Sequence, residues 1–263
     1  PTAQREAPTA LAPTIGFPGI AVDASDKLVV PEGYIASVIA AWGEPIGVAG
    51  NMPAFKPDGS NTAAEQAVQM GMHHDGMEYF PLQGSSTRGL LALNHEYTDD
   101  GLLHVGGFAN MSADKVKKSQ AAHGLSVIEI ELKDNAWQMV RPSRYARRMP
   151  MDAAFEVRGP AAGHAMMKTA ADPSGTRVLG TLNNCAASKT PWGTYLSGEE
   201  NWMFYFGGGD DIPAHHRRWG MRKDGSYQWE KFDERFDAAK NPNEPNRFGW
   251  VVEIDPMRPD SFP

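Results

Sequence analysis

This sequence has little cysteine, no long apolar run and fewer basic than acidic residues. Its 263 residues include a single cysteine, Cys185, so an intrachain disulfide is excluded and cysteine usage does not indicate the redox compartment. No run approaches the roughly 18 apolar residues of a transmembrane helix. The 25 Lys and Arg are outnumbered by 32 Asp and Glu, and the net charge of −7 argues against a nucleic-acid partner, because binding phosphates requires a basic face.

Motifs of several large enzyme classes are also missing. The sequence contains no Gly-x-Ser-x-Gly, no Gly-x-x-x-x-Gly-Lys-Ser/Thr, no His-Glu-x-x-His and no Cys-x-x-Cys. A serine hydrolase, a P-loop kinase and a zinc peptidase therefore lack support. Residues 1–15 are rich in Pro, Ala and Thr, and we expect a flexible segment there, with any export signal already removed.

Glycine and proline are plentiful, and they set the predicted fold class. The 27 Gly and 20 Pro separate short apolar or alternating runs, which is typical of an all-β protein with many turns. Two short helices are predicted, at Asn61–Met70 with Asn61 as N-cap and at Ser112–Ala121 with Ser112 as N-cap. Strands are predicted at Tyr34–Trp42, Gly76–Leu82, Leu90–Tyr97, Gly124–Leu132, Trp137–Arg141, His164–Ala170, Arg177–Asn183, Thr194–Glu200, Trp202–Phe206 and Trp250–Ile254.

The strand spacing favours a β-propeller built from four-stranded blades. Residues 16–206 would form blades that hold the site motifs. The polar segment 207–246, with helix-like character near Trp229–Lys240, is predicted to be an insertion or subdomain. Residues 247–263 would begin a further propeller strand, so we expect a partial propeller and an incomplete chain.

The strongest candidate site combines two strand ends. One predicted strand ends in carboxamides and the thiol, and the next ends in carboxylates and another carboxamide: Asn183, Asn184 and Cys185, then Glu199, Glu200 and Asn201. A thiolate suits iron or zinc, whereas carboxylate and carboxamide oxygens suit calcium or magnesium. On these residues alone Cys185 has three interpretations: a buried apolar filler, a nucleophile or a metal ligand.

Further candidates lie at the ends of other predicted strands. Asn94, His95 and Glu96 follow one apolar strand, and Glu96 is favoured as a metal ligand while His95 is equally explained as structural. The remaining candidates each have a structural alternative and are Asp75, which could instead form an Asx turn, His164, which could be a hydrogen-bonded turn residue, and Glu253, a carboxylate on a mostly apolar strand that needs a partner.

Seven motifs in order along the chain resemble the PhoX family of bacterial alkaline phosphatases. They are His-Asp-Gly at 74–76, Asn-His-Glu-Tyr-Thr-Asp at 94–99, His-Gly-Leu-Ser-Val-Ile-Glu-Ile at 123–130, Gly-Pro-Ala-Ala-Gly-His at 159–164, Gly-Thr-Leu-Asn-Asn-Cys-Ala at 180–186, Thr-Pro-Trp-Gly-Thr-Tyr-Leu-Ser-Gly-Glu-Glu-Asn at 190–201 and Arg-Phe-Gly-Trp-Val-Val-Glu-Ile-Asp-Pro at 247–256. The resemblance implies an exported, periplasmic or extracellular β-propeller that hydrolyses phosphomonoesters with a cluster of ferric iron and calcium.

The same resemblance assigns roles to individual residues. Cys185 matches the iron-binding cysteine and Glu253 a metal-site glutamate, whereas Glu96, Glu199 and Glu200 lie in family motifs without an assigned metal. It implies catalysis through a metal-bound oxygen nucleophile rather than a side chain. Family members are about twice this length, so we expect activity to need a C-terminal remainder.

Two rival functions remain open on the sequence. A calcium-dependent propeller lactonase or esterase would also use Asn, Asp and Glu at its centre, and it predicts calcium without iron. A non-enzymatic interaction propeller would use the same polar groups only to tie blades together, and it predicts no stoichiometric metal.

Overall fold

The structure is a computed structural model that describes residues 16–261, so the predicted flexible segment 1–15 lies outside the described residues. The chain forms two compact units, Pro1–Val38 and Ile39–Pro263. In the described part of the first unit no helix or strand forms, and the rings of Phe17 and Tyr34 pack edge to face with centroids 5.1 Å apart. The strand predicted at Tyr34–Trp42 is therefore wrong, because these residues form turns, bends and coil.

In its described residues, 39–261, the second unit contains ten strands and four short α-helices. The strands are β1 (His74–Pro81), β2 (Arg88–His95), β3 (Gly124–Lys133), β4 (Ala136–Met139), β5 (Arg147–Met149), β6 (Ala154–Glu156), β7 (Arg177–Leu179), β8 (Asn184–Lys189), β9 (Tyr195–Glu199) and β10 (Val251–Ile254). The α-helices are α1 (Ala63–Gln66), α2 (Asp100–Leu103), α3 (Ala113–Ala122) and α4 (Ala214–Arg217). Short 3-10 helices lie at Val48–Gly50, Leu82–Gly84, Ala165–Met167, Trp202–Tyr205, Trp229–Lys231, Glu234–Phe236 and Glu244–Arg247.

All strand pairings between these elements are antiparallel, which agrees with the predicted β class. β1, β2, β3 and β4 pair in that order, and β5 pairs with β3 in the same sheet. β10, β9 and β8 form a second sheet, and β6 and β7 form a third. The described residues do not form a closed propeller ring, so the propeller remains a prediction.

A single large hydrophobic core joins the three sheets. It contains Phe80 and Leu90 of the first sheet, Phe155 of the third and Tyr195 of the second. Segment 207–246, predicted as an insertion, supplies Trp229 and Phe236 to the same core, where both side chains are fully buried. Shared apolar packing therefore joins the three sheets.

Most long strand predictions are confirmed, but two further apolar runs do not form strands. Trp202–Phe206 is mainly a 3-10 helix, because Trp202, Tyr205 and Phe206 are buried in the core. The predicted strand His164–Ala170 is also wrong, since His164 caps the 3-10 helix Ala165–Met167. Of the predicted strand Arg177–Asn183 only Arg177–Leu179 is extended in a ladder.

The helix caps confirm one prediction and correct another. Ser112 caps α3, and its hydroxyl accepts a hydrogen bond from the Lys115 N–H. At α1 the cap is Thr62 rather than Asn61, because Thr62 and Glu65 form a reciprocal capping box. None of the helices in residues 16–261 is long and apolar enough to cross a membrane.

Candidate metal centre

Two β-bulges lie at the heart of the candidate site. In the β1–β2 ladder His74 pairs with His95 and Met77 with Leu93, so Asp75 and Gly76 together oppose the single residue Asn94. In the β8–β9 ladder Asn184 pairs with Glu199 and Ala187 with Ser197, so Cys185 and Ala186 oppose Gly198. A bulge redirects the side chains of its strand, and bulges are common beside active sites.

The bulges bring three candidate ligands together. One donor atom each of Asp75, Glu96 and Cys185 lies within 4.8 Å of the others, and all three residues are half-buried. Glu200 lies beside these three residues, because its carboxylate and that of Asp75 both raise the pKa of the Cys185 thiol. We call these four residues, Asp75, Glu96, Cys185 and Glu200, the acidic cluster.

The negative charges of the acidic cluster oppose one another. Burial, a hydrogen bond with Asp75 and the charges of Asp75 and Glu200 raise the pKa of Glu96 to about 7. Hydrogen bonds to Asp75 and Glu200, together with burial, raise the pKa of the Cys185 thiol far above its ordinary value. None of the salt bridges found among residues 16–261 includes Asp75, Glu96 or Glu200.

This donor set fits a bound cation. One thiol and three carboxylates would supply both a soft ligand and hard ligands, and a divalent or trivalent ion would neutralise the charges that raise the two pKa values. Because a coordinated thiol is deprotonated, metal binding would reverse the effect of the carboxylates on Cys185. The residues present therefore match the metals that the sequence motifs imply.

Asn94 supports the cluster without entering it. Its side chain is fully buried, and its Nδ2 donates to the carbonyls of Cys185 at 2.8 Å and Ala186 at 3.3 Å. Its Oδ1 accepts hydrogen bonds from the Tyr195 hydroxyl at 2.8 Å and the Ser197 hydroxyl at 2.9 Å. Asn94 thus ties β2 to the bulge of β8 and to β9.

The other carboxamides also bond to protein groups. Asn184 is fully buried and donates to the hydroxyls of Thr181 and Ser197, each at 2.8 Å. Asn201 donates through its Nδ2 to Oε1 of Glu200 at 2.9 Å, so it orients one carboxylate of the cluster. Asn183 accepts from the Asn201 backbone N–H at 2.8 Å.

Glu199 faces away from the acidic cluster. Its Oε1 accepts from the Thr181 hydroxyl and the Leu182 N–H, at 2.8 and 2.9 Å, and its Oε2 accepts from the Gly249 and Trp250 N–H groups, at 2.7 and 3.1 Å. Burial raises the pKa of Glu199 to about 7, against the lowering effect of these hydrogen bonds. Two of these bonds fasten the segment before β10 to the end of β9, and the other two fasten the segment before β8 to it.

Three further predicted residues are not brought into the cluster either. Glu253 on β10 accepts hydrogen bonds from the Trp192 Nε1, at 2.8 Å, and from the Thr194 hydroxyl. His164 is exposed, and its Nδ1 accepts from the Met166 N–H at 3.2 Å. His95 is fully buried, and its Nε2 lies 2.6 Å from the Ser126 hydroxyl, while burial lowers its pKa well below the ordinary value.

Sequence reasoning missed several residues that shape the site. Tyr195 and Ser197 hold Asn94, and the Tyr195 hydroxyl also lies 2.8 Å from the Gly76 carbonyl, so its single hydrogen is shared between the two acceptors. Their only signal was alternation: residues 195, 197 and 199 share one face of β9. Tyr205 and His123 were missed for a different reason, since an aromatic run and a lone histidine have no periodic signal.

Comparison with known proteins identifies the family. The family model described as alkaline phosphatase PhoX matches residues 15–263. The chain is similar to a solved structure, Pseudomonas fluorescens PhoX in complex with vanadate, a transition state analogue, at 46% sequence identity and a TM-score of 0.89. The match covers 94% of this chain and 43% of that chain. A search of curated proteins gave no match. The chain belongs to the PhoX family of alkaline phosphatases.

Proposed function

We propose that this protein is a metal-dependent alkaline phosphatase that hydrolyses phosphomonoesters and releases inorganic phosphate. The observation that supports this most directly is the convergence of Asp75, Glu96 and Cys185 donor atoms within 4.8 Å in a chain of the PhoX family. The vanadate bound to the solved relative is a transition-state analogue, which fits a phosphoryl-transfer site in that protein.

We propose iron and calcium as the metals. The Cys185 thiolate would be the iron ligand, and Asp75, Glu96 and Glu200 would be shared between iron and calcium, because carboxylate oxygens bind both. Once bound, such metals would polarise the phosphate oxygens and neutralise charge that develops during transfer. Asn201 would keep the Glu200 carboxylate oriented, and Asn94 would hold the Cys185 backbone in its bulge.

Cys185 is better suited to bind a metal than to attack a phosphate. A nucleophilic cysteine lies beside basic groups that lower its pKa, whereas the neighbours of Cys185 are carboxylates that raise it. A cation bound in the cluster would favour the thiolate. This favours the ligand interpretation over the nucleophile and the apolar filler.

The complete enzyme extends beyond the features described above. Since the chain spans 43% of the solved relative, we propose that residues corresponding to the rest of that chain complete the active site and close a propeller. Within this proposal residues 16–206 and 247–263 belong to blades, and Glu253 and Glu199 lie near the closing side. Export to the periplasm or the extracellular space is proposed on the family alone.

Elemental analysis of the purified full-length protein, paired with phosphate release from a chromogenic monoester, tests the function. We expect iron and calcium in stoichiometric amounts together with phosphate release. Calcium without iron, together with lactone hydrolysis, would favour the esterase. Absence of any stoichiometric metal and of phosphate release would favour an interaction protein.

A substitution of the thiol tests the ligand assignment. We expect Cys185→Ala to remove bound iron and to lower phosphatase activity by at least about 100-fold, since loss of an essential metal removes its charge stabilisation. Iron content and activity are measured on one preparation. A Met203→Leu variant serves as the control, because Met203 packs against the core and not in the cluster. An iron-free Cys185→Ala protein with full activity would exclude this mechanism.

A further inference from the structure

A chain of buried hydrogen bonds connects His123, through Tyr205 and Asn183, to the acidic cluster. His123 and Tyr205 are fully buried and Asn183 is 5% exposed. His123 Nδ1 lies 2.6 Å from the Ser119 carbonyl, and its Nε2 lies 2.9 Å from the Tyr205 hydroxyl. The Tyr205 hydroxyl in turn lies 3.2 Å from the Asn183 Nδ2.

The chemistry of the groups fixes the direction of every bond in this chain. A carbonyl only accepts, so the hydrogen of the neutral His123 ring is on Nδ1, and burial, which lowers the His123 pKa to about 4, keeps the ring neutral. Nε2 is then an acceptor, and it receives the hydroxyl hydrogen of Tyr205. The Glu96 carbonyl also lies 3.4 Å from the Tyr205 hydroxyl, but the single hydroxyl hydrogen goes to the closer His123 Nε2. The Tyr205 oxygen accepts from the Asn183 amide, whose Nδ2 points towards Tyr205.

Asn183, held in this orientation, contacts two residues of the cluster, Glu200 and Glu96. Its Oδ1 accepts from the Asn201 N–H at 2.8 Å, and its backbone carbonyl accepts from the Glu200 N–H at 3.0 Å, so it holds both ends of one dipeptide. Its Nδ2 also reaches the Glu96 carbonyl at 3.5 Å. Asn183 has a φ of 51°, in the left-handed region, which allows backbone and side chain to face the same dipeptide.

Aromatic packing keeps the chain rigid. The Tyr205 ring stacks on Tyr227 with centroids 4.5 Å apart and an angle of 2° between the planes. Trp229 packs against both Tyr205 and His123, at 4.9 and 5.2 Å. Neither the tyrosine nor the histidine is therefore free to rotate away from its hydrogen-bond partner.

We propose that His123, Tyr205 and Asn183 are positioning residues that set the separation of Glu96 from Glu200 at the metal centre. The inference rests on the proposed function, because it assumes that these carboxylates bind metal. None of these three residues would itself be a metal ligand. Supporting residues of this kind typically change metal affinity by about 10–100-fold when they are removed.

Calcium titrations of chelator-treated protein at 20 °C test the inference, with circular dichroism as a check of folding. Tyr205→Phe keeps the ring and removes the hydroxyl, and Asn183→Gly removes the amide in a residue type that adopts a φ of 51° without strain. Tyr79→Phe is the matched control, since its hydroxyl bonds the Ser85 carbonyl at 3.1 Å, away from the cluster.

We expect calcium affinity to fall at least about tenfold in Tyr205→Phe and about 10–100-fold in Asn183→Gly, with no change in Tyr79→Phe. Wild-type affinity in both Tyr205→Phe and Asn183→Gly would overturn the inference and leave the proposed function standing. Failure of the wild-type protein to bind calcium or iron would overturn both. Should Tyr205→Phe fail to fold, the Asn183→Gly titration decides alone.

Discussion

Gly76 and Cys185 lie in neighbouring bulges, and their backbones approach more closely than most side chains would permit. A Cβ added at Gly76 would lie 2.5 Å from the Cys185 carbonyl oxygen and 2.5 Å from the Ala187 Cβ. Both contacts involve the strand that holds Cys185, so the absence of a side chain at residue 76 is a condition for the geometry of the cluster.

We expect Gly76→Ala to lower the free energy of unfolding by about 1–3 kcal/mol, because β8 must move to accommodate the methyl group. The displacement also moves Cys185 and should weaken metal binding. Urea denaturation and calcium titration measure the two effects. Gly198→Ala is the control, since its Cβ would meet only the Ala186 Cβ at an ordinary 3.6 Å. Equal effects of both substitutions would contradict this explanation.

The neighbouring residues Glu199 and Glu200 show what cannot be predicted from the sequence alone. Glu199 and Glu200 are equivalent in a motif, yet strand alternation sends Glu200 to the cluster and Glu199 to four hydrogen-bond donors. The order of residues predicts that one of them faces a site but cannot say which. Asp75 and Cys185 were predictable as polar residues at strand ends, whereas the bulges that aim them depend on pairing between strands.

Asn94 shows how elements are joined, because one carboxamide links a strand of the first sheet to two strands of the second. It accepts from the Tyr195 and Ser197 hydroxyls of β9 and donates to two carbonyls of β8. The two hydroxyls are buried and Cys185 is half-buried. Without the amide, the Tyr195 hydroxyl would keep only the Gly76 carbonyl, the Ser197 hydroxyl would keep only Asn184, and the two carbonyls of β8 would lose this donor.

Replacing this amide should therefore destabilise the junction of the two sheets. We expect Asn94→Ala to lower the free energy of unfolding by about 3 kcal/mol, since several polar groups lose their hydrogen bonds in the interior. Asn241→Ala, which removes one exposed bond to the Glu234 carbonyl, should cost less than about 1 kcal/mol. A denaturation series for the two variants makes the comparison, and similar losses would argue against the junction role.

Short apolar runs limit what can be predicted for elements. Residues 202–206 have the composition of a strand, yet they form a 3-10 helix because packing of Trp202 and Tyr205 into the core decides their conformation. The long run of β3 was predictable, since it is mostly apolar over ten residues, and its first seven residues are buried on both faces of the sheet. Strands of three residues, including β5 and β6, have too little pattern to be found.

Across the whole molecule, buried neutral histidines link stability to pH. Burial and the charges of Lys118 and Lys115 lower the pKa of His104 to about 4. Between pH 6.5 and pH 4 the unfolded chain therefore binds a proton at His104 that the folded protein does not. Stability from this residue is complete above its unfolded pKa and declines as the pH falls through that window.

Between pH 7.5 and pH 5.5 we expect the free energy of unfolding to fall by about 1 kcal/mol less in His104→Gln than in the wild type, after allowance for partial hydration of the ring. Urea denaturation at the two pH values gives the difference directly. The comparison between pH values cancels any constant effect of the substitution. An identical pH dependence in both proteins would show that His104 does not exchange a proton on unfolding.

The distance along the chain between contacting groups of the site determines when the site can form. Asn94 and Cys185 are 91 positions apart, and Gly76 and Tyr195 are 119 apart. Because large loops must close before such contacts form, folding of this topology is expected to be slow, with the ligands assembling late. Metal added to the unfolded chain would find no preformed cluster, so its binding should report the last folding steps rather than start them.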